Sequence, residues 1–335
     1  MEAERVTSGR ELPSSTAVPA GRLGRGETPA GLVPRQKGSL SAGRRPNRYA
    51  WEWWLWVAPG AVALAFVYLY PVLVLFRDSL YQITGYTSTF VGLRNYLYVL
   101  RDEQFHAAIL HNVLLLLCVP ILVVLSLVLA IVLYERVVGW QFYRTVLFLP
   151  YILAVPVASV VFSHLLQYGG VVNSFLRYIG LGWAAVDWLG SPKWALPTLM
   201  GIIVWKELGF GIVLFLARLL SLPQELFEAA RVDGASWLQV HRYVTVPQLR
   251  DVIGFYVTVE SITMLSWVFN YVYIVSNGTG GPGTSTLVTE LYVYRKAFGY
   301  GAGVLGVASA ASVLLFLGSI LMIIWNLRRQ KEALG

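Results

Sequence analysis

Cysteine occurs once in the 335 residues, as Cys118 within an apolar run, so neither an intramolecular disulfide nor a multi-cysteine metal site can form. A lone cysteine in that setting reads as a small packing or lipid-facing residue. Charge is scarce too. Asp, Glu, Lys and Arg make up 13% of the chain, roughly half the share of a soluble domain. No Gly-Lys dipeptide exists, so the GxxxxGK[ST] loop that cradles nucleotide phosphates is absent. There is no GxSxG elbow and no Cys-His arrangement for nucleophilic catalysis. The four histidines (His106, His111, His164 and His241) are scattered, and the i, i+5 spacing of the first two does not share a helical face. No catalytic residue, no metal site and no bound cofactor are therefore expected.

What is present is 56% hydrophobic residues, gathered into recurring stretches of about 20, the length that crosses a hydrocarbon core of about 30 Å. A formal charge of +8 could suggest nucleic acid, but the basic residues flank hydrophobic runs rather than line one soluble face. Membrane topology explains them better, and a nucleic-acid partner is not expected.

Residues 1–48 are rich in Gly, Pro, Ser and Arg and show no helical or strand period, which predicts a disordered tail. A cleavable signal peptide is not expected, because the first apolar run begins only near Trp53. The remainder, 49–335, reads as an all-α membrane domain of six transmembrane helices, with spans at about 53–76, 108–134, 144–166, 194–217, 252–275 and 303–327. Pro71, Pro120, Pro150, Pro156 and Pro197 fall in or beside spans and predict kinks rather than breaks. With the N-terminus inside, Lys and Arg number eighteen on cytoplasmic segments against seven opposite; without the tail the count is nine against seven. That excess places both termini in the cytoplasm.

Between the fourth and fifth spans, 218–250, lies LSLPQELFEAARVDGASWLQVHRYVTVPQL, whose pattern predicts two short helices and a turn. Ser221 with Gln224, and Ser236 with Gln239, have capping-box spacing. Pro223 and Glu225 suit a first turn, and Gly234 suits the left-handed residue that ends a helix. Leu226, Phe227 and Ala230 can share one face. Such an element, held beneath the membrane, suits docking of a partner; a helix lying on lipid would show more Lys and Arg.

The stretch EAARVDGAS, with LP before it and a proline thirteen residues after Gly234, resembles the EAA loop of binding-protein-dependent ABC importer permeases. By position, the matching residues are Glu228, Ala229, Ala230, Asp233, Gly234, Ala235 and Pro247; Val246 stands where the family pattern usually has Leu. FVGLRNY (90–96), FYRTVLFLPY (142–151), DWLG (187–190) and NGTGGPGTSTLVTELYVYRKAF (277–298) are similar, in order and spacing, to segments of the sugar-uptake subfamily. Within it, the likeness is to the maltose and glycerol 3-phosphate type, and to the first permease of the usual pair. The resemblance implies a permease fold whose loop forms coupling helices seated on a dimer of ATPase subunits. ATP and Mg would be used by those subunits. A homologous second permease, an extracytoplasmic binding protein and the lipid bilayer are the other implied partners, and the bacterial inner membrane is the implied location.

Charged residues inside spans are expensive and point to function. Here they are Lys206, Glu207 and Glu260. Adjacent helical residues point about 100° apart, so one of Lys206 and Glu207 can face a pathway while the other pairs elsewhere. The resemblance places a solute among Tyr151, Glu207, Phe210, Ser261, Met264, Leu265 and Val268. The last four fall at i, i+3, i+4 and i+7, one helical stripe that serves equally for packing or for a binding wall. Glu207 stands where relatives often have a small residue. Its carboxylate can accept from two hydroxyls and would repel an anion, which favours a neutral sugar or polyol; alternatively it pairs with a group of the partner permease. An ion-coupled secondary transporter using Glu207 or Glu260 is the rival reading, and it leaves the patterned loop unexplained.

Overall fold

Backbone amides in hydrocarbon have no water to bond, so each apolar run must satisfy its own N–H and C=O groups as helix. The computed structural model describes residues 50–84, 87–299 and 304–334; the tail expected to be disordered, 1–48, lies outside them. The chain divides into two units at Val57, and the second, Ala58–Gly335, carries the elements that matter for the site.

Helix α1 (Ala50–Leu64) passes through a π-helical turn (Ala65–Leu69) into α2 (Tyr70–Asp78). The wide turn sits directly before Pro71, whose ring would otherwise meet the carbonyl four residues back. A short hairpin, β1 (Tyr81–Thr84) with β2 (Thr87–Phe90), follows in antiparallel register with Tyr81 opposite Phe90. It is the one departure, among the described residues, from the all-α expectation. Helix α3 (Arg94–Arg101) leads to α4 (Glu103–Leu115), whose first turn is capped by the Asp102 carboxylate accepting from Gln104 N at 2.9 Å. After a turn at Leu116 and Leu117, α5 (Cys118–Tyr134) completes a 32-residue apolar stretch that starts five residues before the expected boundary.

The third expected span is two helices, α6 (Trp140–Ile152) and α7 (Val155–Leu165), bent by 98°. The expectation of a mere kink is thus corrected: Leu153 and Ala154 leave the helical region, with ψ of 136° and 137°. The cause is Pro156, which has no N–H to offer and whose ring would clash with the Ile152 carbonyl, so α6 ends there. By contrast Pro197 lies inside an unbroken helix.

After α8 (Val171–Tyr178), α9 (Pro192–Leu220) runs 29 residues. Then come α10 (Glu225–Val232), α11 (Trp237–Val240), a π turn (His241–Thr245) and α12 (Val246–Gln248). The fifth span is α13 (Arg250–Ser266) and α14 (Phe269–Val275), bent by 43°. Helices α15 (Thr289–Phe298) and α16 (Leu305–Leu334) close the chain. Among the described residues, three continuous helices are long and apolar enough to cross a membrane, and five segments are if each bent pair counts as one; the apolar part of α16, Leu305–Leu321, is shorter.

The core lies where α5, α9 and α13 meet. Ser126 Oγ donates to the Leu208 carbonyl at 3.2 Å, and Gly211 lets Tyr256 lie against the α9 backbone: a methyl group at that position would stand 2.6 Å from the Tyr256 hydroxyl. Small residues allow such approach where apolar surroundings give no hydrophobic drive between helices. The start of α4, α3, α15 and the hairpin gather at one end of the bundle, held by Asn95 Nδ2 donating to the Tyr81 carbonyl and by Lys296 pairing with Asp102 at 2.8 Å. The 135–139 turn and the 221–247 segment gather at the other, where the Phe227 and Tyr134 rings pack at 5.6 Å.

Candidate functional site

The 221–247 segment is a helix–turn–helix. Its first helix begins without the expected capping box: Ser221 belongs to the end of α9, donating to the Arg218 carbonyl at 2.7 Å and accepting from Arg218 Nη1 at 3.2 Å. With Ser221 thus engaged and Gln224 itself at the N-cap, the pattern is out of register by a full turn. The C-terminus follows expectation. Gly234 has φ +79°, its N–H donates to the Arg231 carbonyl, and Ala235 N–H donates to the Ala230 carbonyl, the paired bonds of a Schellman ending. The second capping box forms, with Ser236 N–H donating to Gln239 Oε1 at 2.7 Å.

One side of α10 is pinned. Phe227 is buried and Ala230 half-buried, whereas Leu226, expected on the same face, is turned outward. The outer side exposes Glu228, Ala229, Asp233 and Gly234, with Val232 beside them at 87% exposure. Ala235 is half-buried in the turn, and exposed Pro247 follows the π turn as Pro71 does. An anchored helix with a small, acidic and apolar outer face has the form of a docking element.

A second site lies inside the bundle. The sequence spacing separates Lys206 from Glu207, yet the structure pairs them at 3.5 Å with both side chains buried; the long lysine stem bends back to cover the angle between them. Tyr271 Oη donates to Glu207 Oε1 at 2.6 Å from α14. Lys206 Nζ also donates to the Tyr151 carbonyl at 3.4 Å and lies over the Tyr151 ring. That carbonyl belongs to the last turn of α6, where the break at Leu153 and Ala154 removes its helical partner. Tyr151 in turn stacks on Phe210, ring centres 5.4 Å apart. Three of the seven expected pathway residues, Tyr151, Glu207 and Phe210, are therefore brought together.

The other four do not form one stripe, because α13 ends at Ser266 and Val268 lies beyond the bend. Ser261, Met264 and Val268 are buried in the bundle. Leu265 points elsewhere, into a cavity of about 640 Å³ lined also by Asn112, Thr289 and Glu290. Glu260 is 2% exposed and its Oε2 has no hydrogen-bond partner among the described residues. Sequence reasoning missed Tyr271 and Tyr256, since a tyrosine in an apolar run carries no signal of what its hydroxyl meets.

At the hairpin end, burial alone would raise the Asp102 carboxyl, but bonds from Lys296 and Tyr292 outweigh it and hold the group below its usual range. Burial pushes Glu290 up to about 6, against the opposing bonds from Asn112 and Thr289. Among the described residues no three His, Cys, Asp or Glu side chains converge as metal ligands; His111 Nδ1 lies 2.8 Å from the Leu287 carbonyl, and His241 is bound to Thr245 and Glu135.

A helical bundle of apolar spans, with a buried ion pair inside it and an anchored, outward-facing helix at one end, has the form of an integral membrane protein that docks a partner. Residues 100–330 match the family described as the binding-protein-dependent transport system inner membrane component, and the chain belongs to that family. It is an importer permease, in a family where ATP is used by separate subunits. It is 31% identical to a lactose transport system permease protein of Rhizobium radiobacter, over 80% of this chain and 90% of that one. It is 32% identical to a trehalose/maltose transport system permease protein of Thermococcus litoralis, over 76% and 85%. Its fold is that of a chain in a bacterial ABC transporter involved in the import of the acidic polysaccharide alginate, with TM-score 0.71 at 22% identity, covering 84% of this chain and 96% of the other.

Proposed function

We propose that this chain is the six-span permease subunit of a sugar or polyol importer of the bacterial inner membrane, with both termini cytoplasmic and α16 as the sixth span. A homologous second permease completes the pathway, two ATPase subunits bind below and an extracytoplasmic protein delivers the solute. The observation that carries the reading is α10: one side held by Phe227 against Tyr134, the other exposing Glu228, Ala229, Asp233 and Gly234. Ala230, Ala235 and Pro247 set its angle. Closure of the ATPase dimer pushes this helix and shifts the spans between two packings, which is alternating access.

The solute passes Tyr151, Phe210 and Glu207; Ser261, Met264 and Val268 support this site from within the bundle, while Leu265 faces a separate cavity. Stacked aromatic rings suit the apolar face of a sugar, and a carboxylate accepts from its hydroxyls. The permeases named for lactose and for trehalose/maltose support a saccharide rather than another solute class.

The test is uptake of radiolabelled lactose, maltose and trehalose by cells expressing the chain with its neighbouring transport subunits. Uptake of at least one sugar is expected to stop on ATP depletion and to survive collapse of the ion gradients. Gly234→Pro, which cannot take φ +79° and has no N–H for Arg231, is expected to abolish it while leaving membrane insertion intact. Normal uptake by that variant, or uptake that follows the ion gradient, overturns the reading.

A further inference from the structure

Glu135 stands at the C-cap of α5, where the partial negative charge of the helix end disfavours a carboxylate. Local preference does not account for it; its partners lie a hundred residues away. Trp237 Nε1 donates to Glu135 Oε1 at 2.6 Å, and His241 Nε2 meets the same oxygen at 3.3 Å. His241 is buried, and its Nδ1 lies 2.9 Å from Thr245 Oγ1. With a proton on Nε2 the imidazole donates to Glu135, and Thr245 Oγ1 completes the contact at Nδ1. The Trp237 and His241 rings pack edge to face at 4.4 Å. One carboxylate oxygen thus gathers α11 and the π turn onto the end of α5.

The 221–247 segment is continuous in the chain with α9 on one side and α13 on the other. Helix α5 has no such covalent link to it. Any displacement of the loop reaches α5 by contact, through the packing of α9 and α13 on α5 and, at this end, through the Phe227 and Tyr134 rings, which can slide, and the directed bonds to Glu135. Charge-assisted hydrogen bonds are the stronger and the more geometrically specific of the two kinds. The residue after Glu135, Arg136, has φ +52°, so the turn that carries the carboxylate is held in a conformation that does not trail freely from the helix.

We propose that Glu135 is a positioning residue that makes α5 follow the loop, so that work delivered to α10 moves α5 together with α9 and α13. The inference rests on the reading of α10 as the docking element.

The test uses the assembled transporter in proteoliposomes, with spin labels at Val128→Cys on α5 and Leu97→Cys on α3, both exposed positions. The label-to-label distance is measured with and without trapping by MgATP and vanadate. The parent is expected to show a trapped-state shift. Glu135→Ala and Trp237→Phe are each expected to lose at least half of it, the double variant to lose no more than either single one, and Glu135→Gln, which keeps an acceptor oxygen, to retain most of it. Full shifts in both Glu135→Ala and Trp237→Phe overturn the proposal, as do losses that multiply in the double variant. Glu228→Ala in the same preparation separates the two levels. If Glu228→Ala abolishes the shift and Glu135→Ala does not, the role of Glu135 falls and the docking role of α10 stands. If the parent shows no shift on trapping, α5 does not follow the loop and the proposal falls, whereas the docking role of α10 is judged separately by the loss of uptake in Gly234→Pro. Should Glu135→Ala not assemble, the Trp237→Phe and Glu135→Gln results decide alone.

Discussion

Tyr271 donates to Glu207 across the gap between α14 and α9 at 2.6 Å, while Lys206 holds the same carboxylate oxygen from within α9 at 3.5 Å. The buried charge is thereby paired and bonded, the two conditions for tolerating it away from water. Because α14 follows the bend after Ser266, this bond also fixes the half-helix beyond the bend to α9.

Removal of the phenol hydroxyl leaves one strong acceptor short of a donor. Tyr271→Phe is expected to cost about 1–3 kcal/mol, read as a lower unfolding midpoint of the purified chain in detergent. Glu207→Gln keeps an acceptor for Tyr271 but strands the Lys206 ammonium, and is expected to be the more damaging of the two. Equal midpoints for Tyr271→Phe and the parent would mean that the bond is not made.

Phe227 anchors α10 from beneath, so truncating it should free the loop without disturbing the spans. Phe227→Ala is expected to cost about 3–5 kcal/mol of local stability. The measurement is amide hydrogen exchange. Protection should fall across 225–245 and stay unchanged in α5 and α9; a fall throughout the bundle would show that the ring supports the whole fold.

Much of this architecture was legible in composition and motif. Hydrophobic run length pointed to long apolar helices, because a bilayer fixes that length physically; Leu55–Asp78, Glu103–Tyr134 and Pro192–Leu220 are of that kind. Gly234 and the Ser236 capping box were legible because their geometry depends on residues within one turn. The same local logic misread Ser221, since the end of α9 claimed it first. Pro150 and Pro156 read as a kink, not as the break at Leu153 and Ala154, because a proline pair does not state whether neighbouring groups will rescue the freed carbonyl; Lys206 does so here, from 55 residues away. Nor does the spacing of Lys206 and Glu207 reveal that a flexible lysine can fold back on its neighbour. Glu135 lies far along the chain from Trp237 and His241, and no periodicity joins them.

Gly211 lets α9 approach α5 and α13 closely, since a methyl group there would meet Ser126 Oγ and stand 2.6 Å from the Tyr256 hydroxyl. A methyl group there would press on Tyr256, whose ring is also held by Phe210 at 5.7 Å and Phe215 at 5.3 Å. With no free direction to yield, Gly211→Ala is expected to destabilise by about 1–3 kcal/mol through overpacking. The relieving double variant Gly211→Ala with Tyr256→Phe should recover part of that loss in the same thermal assay, since the nearest atoms include the hydroxyl oxygen.

The hairpin end of the bundle carries two carboxyls whose pH dependences oppose each other. Asp102 is held below its ordinary value by Lys296 and Tyr292, so its contribution is complete above the unfolded-state pKa and is lost as pH falls through the lower folded value. Glu290 is the reverse case. Its folded value of about 6 lies above the ordinary value of 4.5, so the unfolded chain ionises first, and stability declines as pH rises from about 4.5 to about 6, then levels. At 1.36 kcal/mol per pK step the decline amounts to roughly 2 kcal/mol. Glu290→Gln keeps an acceptor for Asn112 and Thr289 but cannot ionise. It is therefore expected to match the parent near pH 4 and to exceed it by roughly 2 kcal/mol at about pH 7.5, whereas Asp102→Asn should lose the acid limb and lower the midpoint at neutral pH. Unfolding midpoints of the three chains between about pH 4 and 8 check both signs; a Glu290→Gln curve parallel to the parent throughout would mean that Glu290 titrates alike in the folded and unfolded chains.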